Sequence, residues 1–150
     1  MHLRFRPVMR EDADRLLAWR NDPATVSMSR NSRAVSRAEH EAWIEALLSE
    51  MGPVALIASA NDRPMGTVRL DARGEHIYEV SITVAPEHRG RGLAAAMLRG
   101  AGAHAAERLG ARRLLAEIRE ENIASRRAFE AAGYHQVETV QGLCHYRMDI

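Results

Sequence analysis

Apolar positions along the chain recur at two different periods, and the changes of period divide it into elements. Arg4 to Val8 reads as a first strand. Glu11 to Asn21 reads as a helix, with acidic residues in its first turn and Ala13, Leu16, Leu17 and Trp19 as its apolar bulk, and Pro23 is expected to stop it. The polar stretch from Ala24 to Val35, rich in Ser, Arg and Asn, reads as a loop bordering a site. Ser36-Arg37-Ala38-Glu39 is a capping box that opens a second helix, with Trp43, Ile44, Leu47 and Leu48 on its buried side. Three apolar runs follow, Val54 to Ala60, Met65 to Asp71 and Ile77 to Ala85. The turn signals Asn61-Asp62-Arg63-Pro64 and Ala72-Arg73-Gly74 separate them, which predicts an antiparallel meander. A long helix is expected from near Gly92 to Leu109, ended by Gly110. It is followed by a buried strand at Leu114 to Ile118 and a helix capped by Asn122 that passes Phe129 and stops at Gly133. Two short strands, around Val137 to Val140 and His145 to Met148, close the chain. With no internal repeat and no dividing linker, the whole of 1–150 is expected to form one domain of α/β (α+β) class.

Composition narrows the function. Hydrophobic residues at 46% and charged residues at 27% are ordinary globular values, so disorder and fibrous structure are excluded. No apolar run approaches the ~20 residues of a membrane span, and the start Met1-His2-Leu3-Arg4-Phe5-Arg6 lacks the apolar core of a signal peptide; the expected location is cytoplasmic, with no membrane partner. A formal net charge of +1 gives no global field for nucleic acid. Cys144 is the only cysteine and the seven histidines lack a paired helical spacing, so neither a disulfide nor a metal is expected.

The informative segment runs from Ser81 to Leu98. A strand enters a turn containing Gly90 and Gly92, and the turn opens directly onto a helix. Several unpaired backbone N–H groups therefore point to one place under the positive end of a helix dipole. Gly90 and Gly92 allow positive φ and close approach, while Ala94, Ala95 and Ala96 keep the first turn slim; a diphosphate suits the room and the charge. The spacing is neither a Walker loop nor a dinucleotide fingerprint.

Arg89-x-x-Gly92-x-Ala94 resembles the Arg/Gln-x-x-Gly-x-Gly/Ala signature of GNAT acetyltransferases. Asn122-Ile123-Ala124-Ser125, followed by Ala128-Phe129-Glu130-Ala131-Ala132-Gly133-Tyr134, is similar to their second acetyl-CoA motif. The element order resembles the family from end to end. The resemblance implies a mixed, mostly antiparallel central sheet flanked by helices, with acetyl-CoA as co-substrate and no metal. Amides of Arg89, Gly90, Arg91, Gly92, Leu93 and Ala94 would hold the diphosphate. Backbone groups of Ile82, Thr83 and Val84 would pair with the pantetheine arm like an added strand, beyond a point where the family's strands splay apart and where a bulge is common. Asn122 and Ser125 would reach the pantetheine or sulfur end, or serve only as cap and first-turn residue. Phe129 stands where many members carry Tyr, so no phenol acid is assigned there. Tyr134, Tyr146, Cys144 or Ser125 would substitute, or the thiolate leaves unaided.

Direct transfer to an amine needs a group to take its proton and a donor for the developing oxyanion. In the run Ile77 to Val84, Glu79, Ser81 and Thr83 share the polar face, making Glu79 the candidate base ahead of Glu75 and His76, and the amide of Val84 the simplest oxyanion donor. Arg20, Asn21, Arg30, Arg33, His40 and Trp43 lie in the N-terminal half that borders the acceptor site in the family. Trp19-Arg20-Asn21 with His40-x-x-Trp43 is similar to acetyltransferases of nucleotide-linked amino sugars, and the same half also resembles enzymes that acetylate N-termini of ribosomal proteins. The acceptor is thus a small-molecule or peptide amine, and the protein is expected as a monomer or homodimer. A coenzyme-binding module without turnover is the rival reading, favoured by Phe129 and disfavoured by Glu79.

Overall fold

The computed structural model describes residues 2–29, 33–50 and 52–150. Among them lie the strands β1 (Arg4–Pro7), β2 (Val54–Ala60), β3 (Arg63–Gly74), β4 (Ile77–Val84), β5 (Arg113–Arg119), β6 (His135–Val140) and β7 (Leu143–Asp149). They form one seven-stranded sheet in the order β1-β2-β3-β4-β5-β7-β6. Every neighbouring pair is antiparallel except β4 with β5. The helices are α1 (Ala13–Arg20), α2 (Pro23–Met28), α3 (Arg37–Leu48), α4 (Leu93–Leu109) and α5 (Ile123–Ala131). None is long and apolar enough to cross a membrane.

The period-2 and period-3.6 patterns sort the apolar residues onto two faces of the sheet. On one face, Ala58, Val68, Leu70, Val80, Leu114, Ala116 and Ile118 pack with Met97, Leu98 and Ala101 of α4 and Phe129 of α5. On the other, Ile57 and Ala85 pack with Leu16 and Trp19 of α1 and Ile44 and Leu47 of α3. α4 lies hard against the sheet at Gly66, where a methyl group would collide with the Thr83 carbonyl oxygen and the Met97 side chain. The Ser36–Glu39 capping box forms in both directions. Leu48, expected on the buried side of α3, is exposed, and Trp43 is half-buried.

One element was not expected. Pro23, read as a helix stop, and residues 24–28, read as loop, form α2, with Asp22 as N-cap accepting from the Thr25 amide and Pro23 in the first turn. Proline needs no N–H donor there and its fixed φ suits a helix start, so Pro23 opens α2 as much as it ends α1. The β3–β4 turn also falls later than expected, because β3 continues to Gly74 and the chain reverses at Glu75-His76, with His76 at φ 62°.

A buried carboxylate ties β1 to α1. Asp12 is fully buried and accepts from both Arg6 Nη1 and Nη2 at 2.8 Å, from Arg15 Nη1 at 3.0 Å and from the Met9 amide at 2.8 Å. Hydrogen bonding by Arg6, opposed by burial, holds its pKa below the ordinary aspartate range. A depressed carboxylate pKa stabilises the fold above the unfolded value, and that contribution disappears as pH falls through the folded value. Asp12→Ala, which strands two arginines, should cost about 3 kcal/mol. Thermal unfolding at pH 7 and at about pH 3 checks this: the gap between variant and wild type should shrink in acid.

Candidate functional site

The site begins where a ladder stops. β4 and β5 pair in parallel at Ile77↔Arg113, Tyr78↔Leu114 and Glu79↔Leu115 and no further, although β4 runs on to Val84 and β5 to Arg119. The strands therefore open into a V whose vertex is Glu79 and Leu115. No bulge produces it: β3 and β4 stay in unbroken register from Gly66↔Val84 to Ala72↔Tyr78, unlike the family expectation. The Ala85 amide donates to Met65 on the β3 side at 2.8 Å. Strand alternation then turns the N–H and C=O groups of Thr83 toward β3, and those of Val80, Ile82 and Val84 toward the open V. Of the three strand residues expected to meet a pantetheine arm, Ile82 and Val84 present their backbone to the gap and Thr83 does not.

At the open end of the V lies the glycine turn. Pro86–His88 form a short 3-10 turn, Gly90 and Gly92 adopt left-handed φ of 76° and 73°, and Gly92 is the N-cap of α4 with no side chain bonded to the first amides. A Cβ at either glycine would meet nothing within 4 Å, so the space in front of the turn is clear. Leu93 is buried with Ala60 and Met65, which fixes the first turn of α4 while Arg91 stays exposed and Ala94 half-buried. The 17-residue helix directs its positive end here.

The Arg89 side chain turns elsewhere. Its Nη1 lies 2.8 Å from Asp22 Oδ2 and its Nη2 donates to the Thr25 hydroxyl, both on α2. Asn122 accepts from the Ser125 amide at 3.2 Å, which is the cap role. Phe129 is buried in a cluster with Tyr134, edge-on at 4.9 Å between centroids, and Tyr146. Among the possible substitute acids, the Tyr146 hydroxyl donates to Glu130 Oε2 at 2.7 Å and accepts from Arg126 Nε, and Cys144 is buried. The Tyr134 hydroxyl is buried without a hydrogen-bond partner, and burial raises its pKa well above the usual phenol range.

Glu79 is buried at the vertex, on the sheet face that α1 and α3 cover, and Arg73 Nε donates to its Oε1 at 2.9 Å. Glu75 and His76 lie at the closed end, about 10 Å or more along the strand from the opening at ~3.3 Å per residue. In register on the same face, Asp71 opposes Glu79 and Arg69 opposes Ser81. Arg69 pairs with Asp71 at 2.9 Å, and Arg33 with Glu39 at 3.0 Å. Arg20 differs. Its guanidinium lies 5.9 Å from the Trp43 ring centre, and among the described residues no carboxylate lies within ion-pair distance of it. Desolvation, then repulsion from Arg69, lowers its pKa.

Two residues expected at the acceptor site also make contacts within the fold. Asn21 donates through Nδ2 to the Val35 carbonyl and accepts from the Val35 amide, both at 2.7 Å, closing the loop after α1. His40 is buried, with Nε2 2.8 Å from the Ala13 carbonyl and its ring stacked on Trp43 at 5.5 Å. Arg30 lies outside the described residues. Arg73, Asp22 and Arg119 were not anticipated: Asp22 and Arg119 act through partners distant in sequence and Arg73 through Glu79 across the β3–β4 turn, and only the Asp22-Pro23 pair, a typical helix opening, gave a local sign. Among the described residues no group of three His, Cys, Asp or Glu side chains could hold a metal.

A sheet splayed at its one parallel pair, with an anion-suited turn at the mouth and a buried carboxylate at the vertex, has the room and the free backbone edge that a long, amide-bearing donor would use. Residues 2–135 match the acetyltransferase (GNAT) domain, and the chain belongs to that family of N-acetyltransferases. Among solved structures it is similar to spermidine N-acetyltransferase from Vibrio cholerae, in complex with CoA and spermine, at 18% identity and a TM-score of 0.85, covering 98% of this chain and 95% of that one. It is also similar to AAC(6')-Ib in complex with ribostamycin and coenzyme A, at 16% identity and a TM-score of 0.87 over 99% and 94% of the two chains. The GNAT domain of S. lividans PAT is 27% identical, with a TM-score of 0.78 over 99% and 90%. No curated protein matches the sequence.

Gly92 separates strain from occlusion. Gly92→Ala should cost about 1–2 kcal/mol through its left-handed φ alone, and Gly92→Glu should add loss of coenzyme binding. Thermal midpoints with and without acetyl-CoA distinguish the two effects.

Proposed function

We propose that the chain transfers an acetyl group directly from acetyl-CoA to a primary amine, and that the acceptor is a nucleotide-linked amino sugar. The observation that carries the first part is Glu79 at the vertex of the V, where the unladdered edge of β4 ends. The backbone groups of Val80, Ile82 and Val84 suit an amide-bearing arm, and the clear space before Gly90 and Gly92 suits a diphosphate. When bound, acetyl-CoA supplies an acetyl thioester open to attack. Glu79 takes the amine's proton, Arg73 orients the carboxylate, and an edge N–H near the vertex, that of Val80 or Ile82, donates to the acetyl oxygen as charge develops on it, because Val84 lies five residues from Glu79, about 16 Å along the strand at ~3.3 Å per residue. No side-chain acid is required of the protein, since a thiolate is a good leaving group.

The finer reading of the acceptor is supported by Arg20. Among the described residues, the carboxylates Glu39, Asp71 and Glu79 each pair with another arginine and only Glu39 attracts Arg20 from a distance, so its guanidinium over the Trp43 indole is open to an anionic acceptor. A sugar-nucleotide diphosphate would neutralise it and a polyamine would not.

Thermal unfolding with acetyl-CoA at a hundred times its Kd should gain about 2.7 kcal/mol, raising the midpoint by roughly 5–10 °C; absence of a shift at millimolar acetyl-CoA would remove the coenzyme reading. Glu79→Gln should keep that shift and lower kcat by about 10²–10⁴-fold, with unchanged kcat excluding Glu79 as base. Against a panel of a UDP-linked amino sugar, spermidine, kanamycin and a peptide N-terminus, Arg20→Met should raise the KM of the sugar nucleotide about 10- to 100-fold, as loss of a charged hydrogen bond does. Preferred turnover of spermidine or kanamycin would contradict the acceptor assignment.

A further inference from the structure

The two lips of the V end in arginines that reach the same short helix. From the turn after β4, Arg89 pairs with Asp22 at 2.8 Å and donates to the Thr25 hydroxyl. From the last residue of β5, Arg119 Nη1 donates to the Ser29 carbonyl at 3.1 Å. Asp22 is the N-cap of α2 and Ser29 its C-cap, so the arginines hold opposite ends of one six-residue helix, about 9 Å long at 1.5 Å per residue. α2 buries none of its residues, so polar attachment rather than packing sets its place. Hydrogen bonding from Arg89 also holds the Asp22 carboxyl below its ordinary pKa, so the pair stays charged at neutral pH.

We propose that Arg89 and Arg119 are positioning residues that strap α2 across the open end of the V, so that coenzyme in the V fixes α2 and, through it, the acceptor side. The proposal rests on reading the V as the acetyl-CoA site. Beyond Glu79 and Leu115 no ladder joins β4 to β5, and the strap is a connection between their free ends. A ligand that bonds along β4 fixes the separation of the lips, and a fixed separation holds both arginine contacts at once. Because α2 follows directly from Arg20 and Asn21, its position sets the wall that an amine meets. Coupling of this kind is reciprocal, so whatever holds α2 also favours coenzyme.

Hydrogen exchange of amides 24–29, measured with and without saturating acetyl-CoA, tests the strap without needing an acceptor. In wild type, coenzyme should slow α2 exchange at least tenfold. Asp22→Asn and Arg119→Met should abolish that protection and, by the same reciprocity, weaken the acetyl-CoA Kd, read by calorimetry, by up to about tenfold, and Asp22→Glu should restore both in part. With whichever panel amine turns over, the same two variants should raise KM at least fivefold and leave kcat within about twofold. Exchange at 24–29 that ignores coenzyme in wild type, or protection that survives both substitutions, would overturn the strap. An Arg89→Met variant that loses coenzyme affinity with α2 exchange unchanged would also overturn it, making Arg89 a diphosphate ligand. No heat of binding in wild type would instead overturn the coenzyme site itself, and the strap with it.

Discussion

The structure depends on the short parallel ladder between β4 and β5. Three residue pairs hold the two halves of the sheet together, and the pairing ends at Glu79 and Leu115. A longer ladder would satisfy the backbone groups of Val80, Ile82 and Val84 and leave no edge for a ligand. A shorter one would separate the halves. The rest of the fold supports this compromise: α4 and α5 cover one face, the Gly66 contact presses α4 onto β3 and β4, and β7 continues the sheet beyond β5 along its whole length.

The chemistry divides along the same line. The glycine turn and the α4 terminus form a rigid floor, backed by buried Leu93 and Met97. The opposite face, under α1 and α3, carries paired charges around Glu79 and one arginine left over. On the proposed reading, an activated donor would be bound mainly by backbone and helix dipole, and an acceptor would be met mainly by side chains.

Much of the first division was legible in the sequence, because it rests on local rules. Period changes gave the strands and the longer helices, and the glycine turn and Asn122 cap each announce themselves within a few residues. The V was not legible from period alone, since where a ladder stops is decided by pairing between residues far apart. Pro23 was misread because proline ends one helix and starts the next by the same geometry, and α2 was missed with it. Asn21 commits both its amide atoms to Val35 and His40 commits Nε2 to Ala13 while its Nδ1 stays buried without a partner among the described residues, and residue type alone does not reveal such commitments. The face that Glu79 occupies was legible because strand alternation sets it, whereas its partner Arg73 lies across a turn whose register was not.

The lack of buried residues in α2 has an evolutionary consequence. Substitutions there remove no core contact and leave global stability largely untouched, so the segment is free to drift while the donor half stays under tight packing constraint. On the strap reading, a lineage built this way would change what it acetylates by rewriting a few exposed positions between two arginine anchors, while the packed donor half keeps its fold.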